Sequence, residues 1–222
     1  AREWNKNGQR TISQKFIQKG NIGHSEDIDL HRRIMGISFT EEDKKVLAEG
    51  TVDYIGFSYY MSNTVDSNSI RDISMTTDGS SKHSVKNPFI HETAWGWAID
   101  PEGLRYTLNM FYERYEKPLF IVENGFGAID VKEEDGSCHD PYRIDYLKRH
   151  IEELKKACDD GCRVLAYCTW SYTDLLSWLN GYQKRYGFVY VDLDDKGKGT
   201  GKRYKKKSFE VYKKIIETNG EI

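Results

Sequence analysis

The 222-residue chain lacks several features that define whole classes of protein. It contains no apolar run of about 18 residues, which is the length that a membrane-spanning helix requires. Its first residues are polar and are not followed by the apolar segment of a secretory signal. From these absences we expect a soluble protein of the cytoplasm.

Cysteine is scarce and is not arranged for metal or redox chemistry. The four cysteines form no C-x-x-C pair, and the six histidines show no spacing typical of metal ligands. We therefore expect reduced thiols, as in cytosolic proteins, and no metal site. The cysteines are Cys138, Cys158, Cys162 and Cys168.

An excess of charge of either sign is also missing. Lys and Arg number 33 and Asp and Glu number 35, for a formal net charge of −2. This balance argues against a nucleic-acid or anionic-membrane partner. The one basic run, residues 202–207, could bind RNA, but a solvated turn and helix entry is the more common origin of such a run.

What is present is an alternation of amphipathic and apolar segments. Thr40 is suited to cap a helix, and Pro101 to begin one. The predicted elements are helices at residues 40–49, 101–115, 141–158 and 208–218 and strands at 52–60, 118–122, 163–170 and 186–192. A long loop is expected at 62–92. This rhythm predicts an α/β fold with a parallel sheet. Residues 1–24 show little periodicity and are expected to be irregular.

The ends of the apolar runs carry the chemistry expected of a parallel β/α fold. Glu123 directly follows four apolar residues, where an unpartnered charge would cost several kcal/mol. Residues 120–127 (Phe-Ile-Val-Glu-Asn-Gly-Phe-Gly) resemble the nucleophile motif of the family 1 glycoside hydrolases. Residues 56–60 and 170–178 resemble two further strands of that family, in the same order.

The resemblance implies a fold and a set of roles. The fold would be the last three βα units of a (β/α)8 TIM barrel, at residues 36–222, after an irregular N-terminal arm at residues 1–35. Glu123 would be the nucleophile of a retaining glycosidase, Tyr60 would hydrogen-bond it, and no metal or organic cofactor would be needed. Trp170 and Trp178 would contact the sugar, with packing at the barrel mouth as the alternative.

A subgroup is indicated by three polar positions. Family members that act on plain glucosides carry Glu where this chain has Ser177, and a carboxylate there would repel a phosphate. Lys184 and Tyr186 lie two positions apart, so an extended segment would point both to one side. The set is similar to the phosphate pocket of the 6-phospho-β-glucosidases. Trp97 is placed near the mouth, to contact sugar or aglycone, and Asp174 is assigned to structure.

The resemblance is incomplete. The family's general acid lies in a Thr-x-Asn-Glu-Pro motif, and the 222 residues contain no Asn-Glu-Pro. The chain is therefore expected to supply a nucleophile and a phosphate pocket without the acid. The alternative is a non-catalytic or inactive fragment that binds phosphosugar. An open three-stranded sheet would have bare edges, which predicts self-association or pairing with a missing N-terminal part.

Overall fold

The computed structural model describes residue 36, residues 38–66 and residues 84–221. The arm expected at residues 1–35 lies outside the described residues, as does the centre of the loop expected at 62–92. The described ends of that loop are joined by a single antiparallel bridge between Val65 and Ser84.

Helices and strands alternate as the sequence predicts. In chain order they are α1 (Glu41–Glu49), β1 (Ile55–Ser58), α2 (Pro101–Tyr115), β2 (Leu119–Asn124), α3 (Pro141–Asp159), β3 (Val164–Thr169), β4 (Val189–Val191), β5 (Arg203–Lys205) and α4 (Lys207–Glu217). In the described part of the chain, none of the helices has the length and apolar character needed to cross a bilayer.

The helix starts follow from local chemistry. Thr40 caps α1 by accepting a hydrogen bond from the Asp43 amide at 3.1 Å, and the Asp43 carboxylate accepts the Thr40 amide at 2.8 Å. This reciprocal pair is a capping box. Pro101 occupies the first turn of α2, where its missing N–H costs nothing, and Asp100 caps that helix through the Gly103 amide.

β1, β2 and β3 form a parallel sheet in chain order. Because the strands are parallel, their carboxyl ends meet at one edge of the sheet. Ser58 of β1 pairs in register with Glu123 of β2, and Asn124 pairs with Thr169 of β3. The three strand ends that the sequence singled out are therefore neighbours in space.

One face of the sheet is packed against α2 and α3. The buried cluster between them contains Ile55, Tyr59, Leu104, Leu108, Phe111, Tyr115, Leu119, Ile121, Ala157 and Cys162. The other face is open among the described residues: Tyr54, Val122 and Leu165 are exposed there. The sequence predicted a strand at residues 52–60. β1 is shorter and half exposed, because only one face is covered by helices.

The C-terminal segment differs from the prediction. Residues 203–205 form β5, which pairs antiparallel with β4, where the sequence predicted only a solvated turn. Lys206 is not solvated but buried, with its ammonium paired to Asp130 and Asp174. Lys206, the fifth residue of the basic run, is therefore not part of the exposed surface.

Candidate active site

Glu123 lies at the carboxyl end of β2 and accepts two side-chain hydrogen bonds. The phenol of Tyr60 donates to Oε2 at 2.9 Å, and the hydroxyl of Ser58 donates to the same oxygen at 3.2 Å. The contact between Tyr60 and Glu123 that the family resemblance implies is present. Ser58 was missed, although the alternation of a strand places it on the same side as Tyr60, two positions later.

The environment keeps Tyr60 as a donor. Burial, followed by its hydrogen bond to Glu123, raises the pKa of Tyr60 far above the usual phenol value. The phenol therefore stays protonated at neutral pH, and the carboxylate is its acceptor. Glu123 itself is only half-buried, so part of its side chain is accessible at the surface.

The indole of Trp97 connects Tyr60 with the residues predicted to bind phosphate. Its ring lies 5.6 Å from that of Tyr60, edge to face, and 6.3 Å from that of Tyr186. These are ordinary separations for interacting aromatic rings. Trp97 therefore forms one wall between the carboxylate of Glu123 and the Lys184 region.

Lys184 is buried in an aromatic cage. Its ammonium lies 3.4 Å from the centroid of the Trp97 ring, 5.3 Å from that of Trp95 and 5.7 Å from that of Tyr186. The residue is 3% exposed. Ring faces attract a cation, and the attraction is strongest where water is excluded. Trp95 was not among the predicted site residues.

Gly127 leaves the room in which Lys184 and Tyr186 lie. A Cβ at this position would be 2.7 Å from Cε of Lys184 and 3.0 Å from a ring carbon of Tyr186. The side chains of Lys184 and Tyr186 thus both project toward Gly127, on one side of their own segment, as their spacing predicted. The glycine of the nucleophile motif and the predicted phosphate residues belong to one packed unit.

The other predicted residues stand on the segment after β3. Ser177 is half-buried and exchanges both backbone hydrogen bonds with Gly181, at 3.1 and 2.9 Å, in a small hairpin. Trp170 directly follows β3 and is 37% exposed, whereas Trp178 is 99% exposed. Among the described residues, these three side chains make no hydrogen bond or ring contact with the group around Trp97.

The exposure of Trp178 bears on the alternative for the two tryptophans. A ring that packs the barrel mouth would be buried, and Trp178 is not buried against any described residue. Its flat face is free to stack on a ligand. The role of Trp178 as a sugar contact stays a prediction.

A buried ion network supports the segment that carries Ser177, Lys184 and Tyr186. Asp174 accepts from Arg185 at 2.9 Å and from Lys206 at 2.6 Å, and it also accepts from the Gly187 amide at 3.0 Å. This is the structural surrounding that the sequence assigned to Asp174. Because one carboxylate binds Arg185, Gly187 and Lys206 together, it fixes the backbone of residues 185–187 next to the site.

The network continues through Asp130 to α3. Arg143 binds Asp130 at 3.0 Å and Asp140 at 2.5 Å, and Lys206 also pairs with Asp130. Burial alone would raise the pKa of Asp130, but the charges of Arg143 and Lys206 outweigh it and hold that pKa below the usual value. Asp130 is therefore an ion-paired structural carboxylate rather than an acid available to a substrate.

The chain matches a protein-family model over nearly its whole length. The model of glycosyl hydrolase family 1 matches residues 6–221, which is nearly the whole chain. The chain belongs to glycosyl hydrolase family 1. The family resemblance drawn from residues 56–60, 120–127 and 170–178 is thereby confirmed.

The relatives within family 1 that this chain resembles include phospho-β-glucosidases. The chain is 55% identical over 196 residues to an aryl-phospho-β-D-glucosidase of Bacillus subtilis (strain 168), covering 87% of the chain and 41% of the relative. It is 47% identical over 185 residues to a 6-phospho-β-glucosidase of Dickeya chrysanthemi, covering 83% and 39%. The chain thus spans about two fifths of the length of these relatives.

A solved family 1 structure has the same fold. The family 1 β-glucosidase from Thermotoga maritima superposes with a TM-score of 0.73 at 31% identity, covering 92% of this chain and 43% of that one. The fold class predicted from the sequence, a partial (β/α)8 barrel of α/β type, is confirmed. The β1–β2–β3 sheet is an arc of that barrel.

Proposed function

We propose that this chain supplies the nucleophile and the phosphate pocket of a retaining hydrolase of 6-phospho-β-glucosides. The proposal is carried by one observation: the Glu123 carboxylate is held by Tyr60 and Ser58 at the carboxyl end of β2. A carboxylate fixed at a strand end has the rigidity that a nucleophile needs. The relatives named as phospho-β-glucosidases support the choice of substrate.

The chemistry assigned to Glu123 is a double displacement. One carboxylate oxygen attacks the anomeric carbon, and the bond to the leaving oxygen breaks with its electron pair going to that oxygen. Water then attacks the same carbon and releases Glu123. Tyr60 and Ser58 both donate to Oε2, which leaves Oε1 as the oxygen best placed to attack.

The phosphate would be recognised by Ser177, Lys184 and Tyr186. An ammonium and hydroxyl donors suit the charge of about −1.5 to −2 on a phosphate at neutral pH. The sugar ring would lie between this group and Glu123, with Trp97 as the wall and Trp170 and Trp178 as stacking faces. No metal or organic cofactor is assigned to these steps.

The second carboxyl of a retaining site is not assigned. Such an acid would stand about 5–5.5 Å from the nucleophile and protonate the leaving group. The Asn-Glu-Pro sequence that carries it in the family does not occur in these residues. General acid catalysis typically contributes about 10²–10⁴-fold, so the chain on its own is expected to act slowly on substrates with poor leaving groups.

This absence in the sequence favours one alternative function, an inactive or non-catalytic fragment that binds phosphosugar. An activated inhibitor separates the two. The probe is 2,4-dinitrophenyl 2-deoxy-2-fluoro-β-D-glucoside 6-phosphate, whose leaving anion is stable without protonation. A covalent adduct seen by intact-protein mass spectrometry supports the enzyme. Binding of glucose 6-phosphate with no adduct supports the fragment.

The unphosphorylated form of the inhibitor is the matched control for the phosphate pocket. The enzyme proposal expects adduct formation to be at least about tenfold faster with the phosphorylated form, because one charged contact is worth about 1.5–3 kcal/mol. Equal rates with both inhibitors would contradict the assignment of Ser177, Lys184 and Tyr186.

Two further properties are part of the proposal. The exposed sheet face with Val122 and Leu165, and the outer edges of β1 and β3, would be covered by self-association or by an N-terminal part of the barrel. Its test is the mass of the chain in solution, which should exceed that of a monomer when no such part is present.

The four free thiols support a location in the cytoplasm.

A further inference from the structure

We propose that Tyr146 and Asn124 are positioning residues for the Glu123–Tyr60 pair. Neither was singled out by the sequence. Tyr146 lies on α3, behind the sheet, and its phenol reaches through to the main chain of the site. The inference rests on the proposed function, since it assigns these residues to the alignment of the proposed nucleophile.

Asn124 directly follows Glu123, and its side chain is hydrogen-bonded to residues on both sides of β2. Its amide nitrogen donates to the Tyr59 carbonyl at 2.7 Å and to the Tyr146 phenol oxygen at 3.0 Å. Its amide oxygen accepts from the phenol of Tyr167 on β3 at 2.5 Å. Every polar function of the Asn124 side chain is thus in use, which fixes its orientation.

Tyr146 completes the connection to Tyr60. Its phenol accepts from Asn124 and donates to the backbone carbonyl of Tyr60 at 3.0 Å. That carbonyl belongs to the residue whose side chain holds Glu123. The hydrogen bonds therefore connect β3 to Asn124, Asn124 to Tyr146 on α3, and Tyr146 to the backbone of Tyr60. They fix the backbone position from which the Tyr60 side chain projects toward Glu123 on β2.

The connection is rigid because it is buried. Asn124 is 0% exposed and Tyr146 is 2% exposed. The Tyr146 ring stacks on His150 at 3.8 Å between centroids and meets Phe126 edge to face at 5.3 Å. Burial raises the pKa of Tyr146 above the usual phenol value, so it stays a donor. A buried network with all partners satisfied selects one geometry.

The effect on the reaction is one of alignment. Tyr60 lies just beyond the end of β1, where the sheet no longer holds its carbonyl. Without the Tyr146 bond, the Tyr60 peptide can rotate and its phenol can leave Glu123. A misplacement of about 1 Å at a reacting group can cost on the order of 10²-fold in rate.

The test is Tyr146→Phe, which keeps the ring and removes only the hydroxyl. The matched control is Tyr142→Phe, one turn earlier on α3, which removes a phenol hydrogen-bonded to Asp130. Both full chains are reacted with the phosphorylated fluoroglucoside, and the limiting rate constant is separated from the half-saturating concentration. Tyr146→Phe should lower the rate constant about tenfold at unchanged half-saturation, and Tyr142→Phe should leave both unchanged.

A second readout needs no reaction with an inhibitor. In chains labelled with ¹³Cζ-tyrosine, the Tyr60 resonance should move toward that of a free phenol in Tyr146→Phe and stay in place in Tyr142→Phe. Tyr167→Phe, which removes the donor to Asn124, should shift it in the same direction by a smaller amount. This readout applies even if Tyr146→Phe is less stable.

The outcomes separate the two proposals. If the unchanged chain forms no adduct, the proposed enzyme function fails, and the Tyr60 resonance still tests the positioning. If adduct forms at equal limiting rates in Tyr146→Phe and the unchanged chain, or if the Tyr60 resonance does not move, Tyr146 has only a structural role and the inference is overturned.

Discussion

The ammonium of Lys184 lies 3.4 Å from the centroid of the Trp97 ring. Trp97 also contacts Tyr60, which holds Glu123. A single indole thus joins the proposed phosphate ligand to the proposed nucleophile. The position of the cation and that of the carboxylate are thereby set by the same packed group.

This arrangement gives a prediction for Lys184→Met, which keeps most of the buried stem and removes the charge. Affinity for glucose 6-phosphate should fall at least about tenfold, since a charged hydrogen bond contributes about 1.5–3 kcal/mol. Isothermal titration calorimetry measures it. The control is Lys132→Met, because Lys132 also lies over a ring, that of Tyr204 at 4.8 Å, away from the site. An equal loss in both variants would contradict the role of Lys184.

Trp178 gives a second prediction, in which binding and stability separate. Because the side chain is 99% exposed, Trp178→Ala should leave the melting temperature unchanged. Affinity for an aryl 6-phospho-β-glucoside should fall about threefold to tenfold through loss of stacking. Leu179→Ala, at the next exposed position, is the control for general loss of apolar surface. A lowered melting temperature with intact binding would favour packing at the barrel mouth instead.

The ion network gives a prediction of stability. Lys206→Met should lower the free energy of unfolding by about 3 kcal/mol, because it removes a shared cation from two buried carboxylates, Asp130 and Asp174. Lys205→Met is the control, since the exposed pair of Lys205 with Glu210 should contribute less than about 1 kcal/mol. Urea unfolding monitored by tryptophan fluorescence measures both. A loss in Lys206→Met as small as that expected for Lys205→Met would mean that the network contributes little to stability.

His150 gives a prediction of pH dependence. Burial lowers the pKa of His150 from 6.5 to about 4, and its Nε2 has no hydrogen-bond partner among the described residues. Between these two values the unfolded chain binds the proton and the folded chain does not. Stability from this group is therefore complete above pH 6.5 and declines as the pH falls toward 4, by up to about 3 kcal/mol.

The measurement is the free energy of unfolding at pH 7 and at pH 4.5. His150→Gln should reduce the difference between the two pH values by most of that amount. His139→Gln, in which an exposed histidine is replaced, should leave the difference as it is in the unchanged chain. A pH dependence that survives unchanged in His150→Gln would contradict its assignment to His150.

The parts of the fold that were predicted depend on local patterns. Thr40 and Pro101 mark helix starts through hydrogen bonds and ring geometry within one turn, so the sequence contains the signal. The link between Glu123 and Tyr60 came from two motifs that both end at strand termini. Ser58 could have been added from the alternation of a strand alone.

The parts that were missed depend on distant partners. Lys206 is buried because Asp130 and Asp174 meet it across 76 and 32 positions of sequence, and a basic run gives no sign of this. Tyr146 reaches Tyr60 across 86 positions, from a helix whose pattern indicates only an apolar face. Such contacts follow from the packing of α3 on the sheet, which no local pattern encodes.

The most direct measurement is the site of attachment of the fluoroglucoside. After reaction with the 6-phosphorylated dinitrophenyl inhibitor, the chain is digested and the labelled peptide is sequenced by mass spectrometry. If Glu123 is the nucleophile, a single sugar phosphate is attached to Glu123, and Glu123→Gln forms no adduct. Attachment to another carboxylate, or an adduct that persists in Glu123→Gln, would contradict it.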